Sequence, residues 1–307
     1  MGLVLNCHIE LPAHRQKGGF DHAAIHDATG QLFVAHTAND AVDVINCRSN
    51  RFSHSIPNVP EVAGVLVSTE HDLVFTSNRS ENAVSIFSPR SSAQIAKIEV
   101  GIRPNGLAYD PTTGILLSAN LGDAAVGDTA SVTLVNVRDC FVIAQIPMPG
   151  RTRWAIFDPA TACFYVNITQ PSGIAVIEAK RPQCIARRLE IPVAGAHGLD
   201  VDSSFKRLFC ACDGGEIVTL DAESGRVAGR AQISGIPDVV FFNHAKRRLY
   251  VAVANPGVVD VIDTGAMARV EVVVTERGAK TTAFDAINNR LFVLMPETHR
   301  AAVYYDS

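Results

Sequence analysis

One short segment recurs along the whole chain and limits what the chain can fold into. Each copy is a run of apolar and β-branched residues that ends in a small polar or acidic residue, as in Val42–Asn46 and Val259–Asp263. The closing residues of the seven copies are Asn46, Ser88, Asn136, Glu178, Asp221, Asp263 and Asp306. They are 42, 48, 42, 43, 42 and 43 positions apart. A near-constant period of this length indicates a repeat architecture in which each unit packs on its neighbours.

Each repeat shows the pattern of four short strands. Before the closing residue come a strand such as Pro104–Asp110, a turn rich in Asp, Pro, Thr and Gly, and a second strand such as Ile115–Asn120. A further short strand, such as Gln94–Ile98, follows the closing residue. No segment has a sustained helical periodicity. The sequence therefore predicts an all-β fold, a seven-bladed β-propeller of four-stranded antiparallel blades.

The two ends of the sequence predict how the ring closes. The seventh repeat stops at its third strand, because the sequence ends at Ser307. Residues 2–12 are similar to fourth strands such as Arg188–Pro192, so we expect them to complete blade 7 and cover its open edge. Seven periods use almost all of the 307 residues, so we expect residues 1–307 to form one domain.

Composition narrows the classes of partner and compartment. A content of 47% apolar and 19% charged residues excludes a disordered chain. A net charge of −4 provides no basic field, so we expect no nucleic acid and no membrane as partner. Seven scattered cysteines and the lack of a signal segment predict the cytoplasm, or a secreted or periplasmic location if a leader has been removed. A closed propeller is expected to be a monomer or a weak homo-oligomer.

The repeat resembles that of the YVTN-repeat β-propellers, a family that overlaps with surface-layer and quinoprotein-like propellers. The residues that carry the resemblance are Leu116–Asn120, Phe164–Asn167, Pro104–Ala108 and Val259–Asp263, and it covers essentially the whole chain. Lactonases and streptogramin lyases are more distant relatives of the fold. The resemblance implies a fold and hardly any function, because propellers carry many chemistries. Where the gluconolactonase relatives have an early acidic metal ligand, this chain has Asp21 and His22, so that site is not carried over.

Alignment of the repeats predicts which residues surround one end of the central tunnel. The innermost strand of each blade begins at that end, which we call the mouth, and the loop between the second and third strands returns to it. Counting back five residues from the residue before each turn gives one position per blade. These positions are His22, Ala63, Asn105, Arg153, His197, Asp238 and Lys280, with Glu61 close to Ala63.

The residue types at the mouth suggest roles in binding and acid–base chemistry. His22 and His197 are candidate general bases and, together with His36, candidate ligands of one divalent metal ion. Asp238 either orients a catalytic base or forms an ion pair with Lys280. Substrate-binding roles are predicted for Arg153, Lys280, Asn105 and Glu61. Mixed charges of this kind are typical of a site for a small polar or anionic molecule.

Two classes of function remain open at this stage. The mixed charges at the mouth favour an enzyme, a hydrolase or lyase that acts on a small molecule there, with or without a metal. The alternative is a non-catalytic propeller that binds a ligand or a protein. The sequence contains no nucleophile elbow and no glycine-rich phosphate-binding loop, so neither motif decides between the two classes.

Overall fold

A computed structural model of the chain describes residues 2–127 and 129–307. It contains seven antiparallel four-stranded sheets in a ring, and the first strands of all seven line a central tunnel. The predicted all-β, seven-bladed propeller is confirmed. Within the described ranges, no helix has both the length and the apolar character needed to cross a membrane.

Each blade is built from consecutive strands, except blade 7, which takes its outer strand from the start of the chain. Blade 1 comprises β2 (Ala23–His26), β3 (Gln31–His36), β4 (Ala41–Asn46) and β5 (Arg51–Ile56). Blade 2 comprises β6 (Val62–Ser68), β7 (Leu73–Asn78), β8 (Ala83–Phe87) and β9 (Gln94–Glu99). Blade 3 comprises β10 (Pro104–Asp110), β11 (Ile115–Asn120), β12 (Ser131–Asn136) and β13 (Phe141–Pro147). Blade 4 comprises β14 (Thr152–Asp158), β15 (Cys163–Ile168), β16 (Gly173–Glu178) and β17 (Arg187–Glu190).

The remaining blades follow the same order. Blade 5 comprises β18 (Ala196–Asp202), β19 (Arg207–Cys212), β20 (Glu216–Asp221) and β21 (Val227–Gln232). Blade 6 comprises β22 (Pro237–Asn243), β23 (Arg248–Val253), β24 (Val258–Asp263) and β25 (Ala268–Val274). Blade 7 comprises β26 (Thr281–Asp285), β27 (Arg290–Met295), β28 (Arg300–Asp306) and β1 (Leu3–Glu10). The 3-10 helices Thr37–Asn39, Arg79–Glu81 and Ala124–Val126 follow the second strands of blades 1 to 3.

The core of the protein lies between the blades. Successive side chains of a strand point to opposite faces, so the second strand of a blade presents alternate residues to its two neighbours. Leu32 packs in a cluster with Phe292 of blade 7, and the adjacent Phe33 packs in a cluster with Val65 of blade 2. Among the described residues, one such apolar cluster lies at each of the seven blade interfaces. Because both faces of the second strands are buried, their sequences are continuous runs of apolar residues.

The N-terminal strand closes the ring as predicted. β1 pairs antiparallel with β28 from Leu3 opposite Asp306 to Glu10 opposite Arg300. Ile9 is 2% exposed and packs in the cluster that joins blades 7 and 1. The first and last strands are therefore held together by both a hydrogen-bonded ladder and an apolar contact.

We predict that Ile9→Ala destabilises the fold, while Val4→Ala on the same strand does not. Ile9 is buried at the closing interface and Val4 is 58% exposed. Truncation of a buried isoleucine costs about 2–5 kcal/mol, whereas an exposed substitution costs about 0.5 kcal/mol or less. Urea unfolding measures both. Equal and small losses in the two variants would contradict the seating of β1 in blade 7.

Candidate functional site

The predicted mouth positions lie at the start of the innermost strands, and six of the seven are at equivalent positions. In blade 1 the pairing of His26 with Gln31 matches that of Asp285 with Arg290, so Asp21 is equivalent to Lys280 and His22 lies one residue further into the tunnel. In blades 1 and 7, His22 and Lys280 directly precede β2 and β26. In blades 2 to 6 the mouth residue is the second residue of its strand, and each of these strands shifts register there. The shift between Thr152 and Ala155, for example, takes Arg153 out of the regular ladder. Bulges of this kind redirect side chains and are frequent beside functional sites.

Glycines behind the mouth residues allow the blades to approach closely. A Cβ on Gly106 would lie 2.4 Å from the Arg153 carbonyl oxygen of the next blade. A Cβ on Gly198 would lie 2.5 Å from the Asp238 carbonyl oxygen. Only glycine fits at these two positions, so the residue that follows Asn105 or His197 helps to place the mouth residue of the neighbouring blade.

Blades 5, 6 and 7 contribute a compact group of alternating charges. His197 Nδ1 lies 2.7 Å from Asp213 Oδ1, and His197 Nε2 lies 3.4 Å from Asp238 Oδ1. The Lys280 ammonium lies 2.9 Å from the other oxygen of Asp238. Asn167 donates hydrogen bonds from Nδ2 to the carbonyl oxygens of His197 and Gly198, which fixes the backbone beneath the imidazole. Both predicted roles of Asp238 are thus compatible with the geometry, since it contacts the base candidate and the lysine together.

This arrangement shifts the titration of all three groups. Burial tends to lower the pKa of His197, but hydrogen bonds to Asp213 and Asp238 outweigh it, and the pKa is raised. Burial tends to raise the pKa of Asp238, but Lys280, His197 and His22 hold it well below its usual range. The Asp238 carboxylate in turn raises the pKa of Lys280. His197 therefore keeps its proton to a higher pH than a free imidazole, beside an ionised carboxylate.

His22 has the opposite environment. Its ring is buried and packs against the indole of Trp154 from blade 4, with ring centroids 4.1 Å apart. Because blades 1 and 4 lie on opposite sides of the ring, this contact crosses the tunnel. Burial lowers the pKa of His22, although the Asp21 and Asp238 carboxylates act to raise it. His22 therefore favours its neutral form.

Asn105 belongs to a polar link between the first three blades. Arg79 donates a hydrogen bond to Asp21 Oδ2 at 3.0 Å and a second, very short one to Asn105 Oδ1. Asp21 Oδ1 lies 3.5 Å from His22 Nε2. Asn105 therefore helps to position Arg79. Arg79 in turn helps to position Asp21, which lies next to His22.

Arg153 carries a cation that the described residues do not neutralise. No hydrogen bond or ion pair among residues 2–127 and 129–307 engages its guanidinium, and its Nε is buried without a partner. Burial lowers the pKa of the nearby Arg151, and the cations of Arg153, Arg103 and Arg79 lower it further. Several guanidinium groups thus share one region of the mouth, which is an environment suited to a bound anion.

Glu61 lies at the mouth beside Val62, the first residue of β6. Its backbone N–H donates to Asp40 at 2.7 Å, and its carbonyl oxygen accepts from the Arg79 N–H. Among the described residues its carboxylate forms no ion pair. The structure places Glu61 close to Ala63 at the start of blade 2, as the sequence predicted. Its backbone also contacts that of Arg79.

His36 does not join the mouth group. Its Nδ1 lies 2.7 Å from Asp43 Oδ2, and its Nε2 lies 2.7 Å from His14 Nδ1. His14 also packs edge-on against His299 of blade 7, with ring centroids 4.4 Å apart. These three residues form a histidine cluster that ties the segment after β1 to blades 1 and 7. His36 and Asp43 replace the amide–hydroxyl pairs found in blades 2 and 3, such as Asn78 with Ser85.

The three predicted metal ligands do not form one ligand set. His36 has both ring nitrogens engaged in the histidine cluster, and His197 has both directed at carboxylates. Across the described residues, no group of three or more His, Cys, Asp or Glu side chains is arranged to hold a metal ion.

Several residues of the site were not predicted from the sequence. Arg79 and Asp213 each follow the last residue of a second strand, Asn78 and Cys212. Arg103 and Arg151 each lie two residues before a mouth position. The loop between the second and third strands was expected to reach the mouth, so aligning its first residue across the blades would have identified Arg79 and Asp213.

Comparison with known proteins adds the fold and nothing finer. No family model matches the chain, and no curated protein matches it. Hydrazine synthase of Kuenenia stuttgartiensis is similar in structure, with a TM-score of 0.83 and 12% identity over 95% of this chain and 96% of that chain. A chain in the crystal structure of a mitotic checkpoint complex has a TM-score of 0.81 and 10% identity, over 98% of this chain and 91% of that chain.

The chain is thus a seven-bladed β-propeller by structure. At these low identities the similarity extends to the fold alone, and the resemblance to YVTN-repeat proteins gains no support from a family model. Because propellers carry unrelated activities, function has to be argued from the mouth and the tunnel.

We predict that His14→Phe reduces the loss of stability on acidification. Burial, His36 and His299 lower the pKa of His14 below its ordinary 6.5. The unfolded chain then binds the extra proton, so stability that is present above about pH 6.5 is lost as the pH falls. Urea unfolding between about pH 8 and pH 5 should show a flatter dependence for the variant.

The same experiment contains its own control. At about pH 8 the variant should be weaker by about 1 kcal/mol, because it lacks the hydrogen bond to His36. His8→Phe, at an exposed position of β1, should keep the wild-type dependence on pH. If His14→Phe loses as much stability on acidification as the wild type, His14 is not the residue that resists protonation.

Proposed function

We propose that the mouth binds a small anionic molecule and acts on it by acid–base catalysis, as a lyase or hydrolase. The observation that carries the proposal is the pair of histidines, His22 and His197, whose pKa values are shifted in opposite directions around Asp238. Environments that separate the pKa values of two groups are the usual basis of an acid and a base in one site.

The unpaired cations supply the binding half of the proposal. Arg153 is free to form two parallel hydrogen bonds with a carboxylate or phosphate, and Arg151 adds positive charge beside it. The protein as a whole carries a net charge of −4, so this concentration of cations is local. A bound anion would relieve the repulsion among the arginines that lowers the pKa of Arg151.

The histidines supply the chemical half. The neutral His22 accepts a proton, from a substrate carbon in an elimination or from water in a hydrolysis. His197 in its protonated form donates the Nε2 proton to the leaving group, which then takes the place of Asp238 Oδ1 as the acceptor, while Asp213 holds Nδ1. In an elimination the products are then an alkene and the protonated leaving group. Exchange with solvent returns both rings to their starting forms.

We predict that Arg153→Ala weakens the binding of malate, a small dicarboxylate, by about 10- to 100-fold. Hydrogen bonds to charged groups contribute about 1.5–3 kcal/mol, and the variant loses such bonds. Isothermal titration calorimetry measures the affinity. Arg181→Ala, at an exposed position in a loop of the same blade, is the matched control and should bind as the wild type does. Equal affinity of Arg153→Ala and wild type would overturn the anion site.

A second assay tests catalysis separately from binding. Hydroxy- and phosphocarboxylates are screened for elimination through the ultraviolet absorbance of the conjugated double bond. His22→Gln and His197→Gln should each remove turnover while malate binding changes by only about threefold or less. Turnover that survives both substitutions would contradict the roles assigned to the histidines. If the wild type binds malate but turns over none of the substrates, the catalytic half of the proposal is wrong and the protein only binds the anion.

One observation favours protein binding as a second candidate function. The outer strand β25 pairs only with β24, and Val270, Val272 and Val274 on it are 55%, 44% and 78% exposed. An open edge with an apolar row is the type of surface to which another strand is added. The simplest partner is a second copy of this chain.

Sedimentation velocity at increasing protein concentration tests this candidate. Val272→Lys should abolish self-association, whereas Val227→Lys on the outer strand of blade 5, where Val227 is 46% exposed, should not. A wild-type protein that is monomeric at every concentration would contradict it.

A further inference from the structure

The tunnel contains a cavity of about 490 Å³ below the mouth. All seven innermost strands contribute to its wall, and His22 and Trp154 form its upper boundary where their rings meet. At the other end it reaches Thr69, Glu70 and Pro111, which lie in the turns after the innermost strands. Its volume falls in the range of small-molecule sites, about 300–1,000 Å³.

One carboxylate interrupts an otherwise apolar ring of residues in the tunnel wall. The residues three positions after the mouth residues form a second ring inside the tunnel. Its members are Ala24, Leu66, Ala108, Ile156, Asp200, Phe241 and Ala283, with Ala24 counted from Asp21 in blade 1. Six of the seven are apolar, and Asp200 of blade 5 is the exception. Aromatic rings of Trp154, Phe157 and Phe241 line the same space.

The carboxylate of Asp200 is held in place and keeps unused acceptor capacity. Its Oδ2 accepts a hydrogen bond from the Phe242 N–H at 2.6 Å, and its Oδ1 accepts one from the Val201 N–H at 2.8 Å. A carboxylate has about four acceptor positions, so two remain. Across the described residues no cation forms an ion pair with Asp200, in contrast to Asp238 at the mouth.

The buried carboxylate has a cost that a cation would remove. Burial raises the pKa of Asp200 to about 6, although the two backbone N–H groups lower it. Asp200 is therefore mainly ionised at neutral pH, in a space with apolar walls. An ionised group in such surroundings is unfavourable unless it is paired.

The second charged residue of the cavity wall is also acidic, so it too favours a positively charged ligand. Glu70 lines the far end of the cavity, and no lysine or arginine is among the lining residues. The mouth, by contrast, contains the cations of Arg103, Arg151 and Arg153, whose guanidinium groups form no ion pair among the described residues. The two ends of the tunnel thus favour ligands of opposite charge, with the His22–Trp154 contact between them.

We propose that the tunnel cavity is a binding site for a small apolar amine, whose ammonium group pairs with Asp200 and whose hydrocarbon or aromatic part packs against Trp154, Phe157 and Phe241. The aromatic rings also attract a cation through their faces. This site is independent of the acid–base function proposed for the mouth, because the two share only the wall formed by His22 and Trp154.

Calorimetric titration with 2-phenylethylamine tests the proposal, with the neutral 2-phenylethanol and the anionic phenylacetate as matched probes. The wild type should bind one amine per chain, about tenfold or more tightly than the alcohol, and should not bind phenylacetate in the tunnel. Asp200→Asn should weaken amine binding about tenfold or more and leave alcohol binding unchanged. Val67→Phe, which fills the cavity and keeps Asp200, should weaken both.

The two substitutions change the cavity in different ways. A loss of amine binding in both variants therefore does not depend on the folding of either one alone. Asp200→Asn sets an amide NH₂ against one of the backbone N–H groups, so its fold is checked by urea unfolding; Val67→Phe does not touch that contact. Arg153→Ala should bind the amine as the wild type does. The proposal is overturned if the wild type binds no amine, if the amine and alcohol bind equally, or if binding survives Val67→Phe and is lost in Arg153→Ala.

Discussion

The burial of each second strand between two neighbouring blades is the constraint on which the rest of the structure depends. Leu116 packs towards blade 2 and Leu117 towards blade 4, and both are fully buried. The same alternation occurs in every blade, so the apolar residues of the second strands are buried at the seven interfaces between blades. The ring must close for the last of these interfaces to form, and β1 provides the strand that closes it. Closure then fixes the starting points of the seven innermost strands, which surround the mouth.

The position of the ionisable groups follows from this packing. The interfaces between blades are filled by apolar side chains. The charged side chains therefore lie at the strand ends and in the tunnel, where they can contact residues of other blades. At the mouth, Asp238 brings His197 and Lys280 together, while His22 is buried against Trp154 beside Asp21. In the tunnel, Asp200 lies in a ring whose other members are apolar, and Glu70 lies at the far end of the same cavity. A small number of charges thus creates two environments of opposite sign along one axis.

The repeat predicted the strands, the number of blades, the closing strand and six of the seven mouth positions, because each depends only on spacing and on alternation of residue type. In blade 1 the strand ends at His26 and not at Asp27, so Asp21 occupies the mouth position predicted for His22. Spacing does not reveal contacts between distant segments. His36 was therefore grouped with the mouth, although His14 from the segment after β1 engages its ring. Asp200 was missed for a simpler reason, since only one position per blade was aligned. Burial lowers the pKa of His22, and hydrogen bonds to Asp213 and Asp238 raise that of His197. Both effects depend on contacts between blades or loops that the local sequence does not encode.

The central claim is that the mouth separates two histidines into a base and an acid. Nuclear magnetic resonance of the imidazole nitrogens as a function of pH tests it most directly, with His22→Gln and His197→Gln used to assign the signals. We predict that His22 stays neutral below pH 6.5, the ordinary value for the ring, and that His197 stays protonated above it. Titration of both rings near that value, or in the reverse order, would contradict the account.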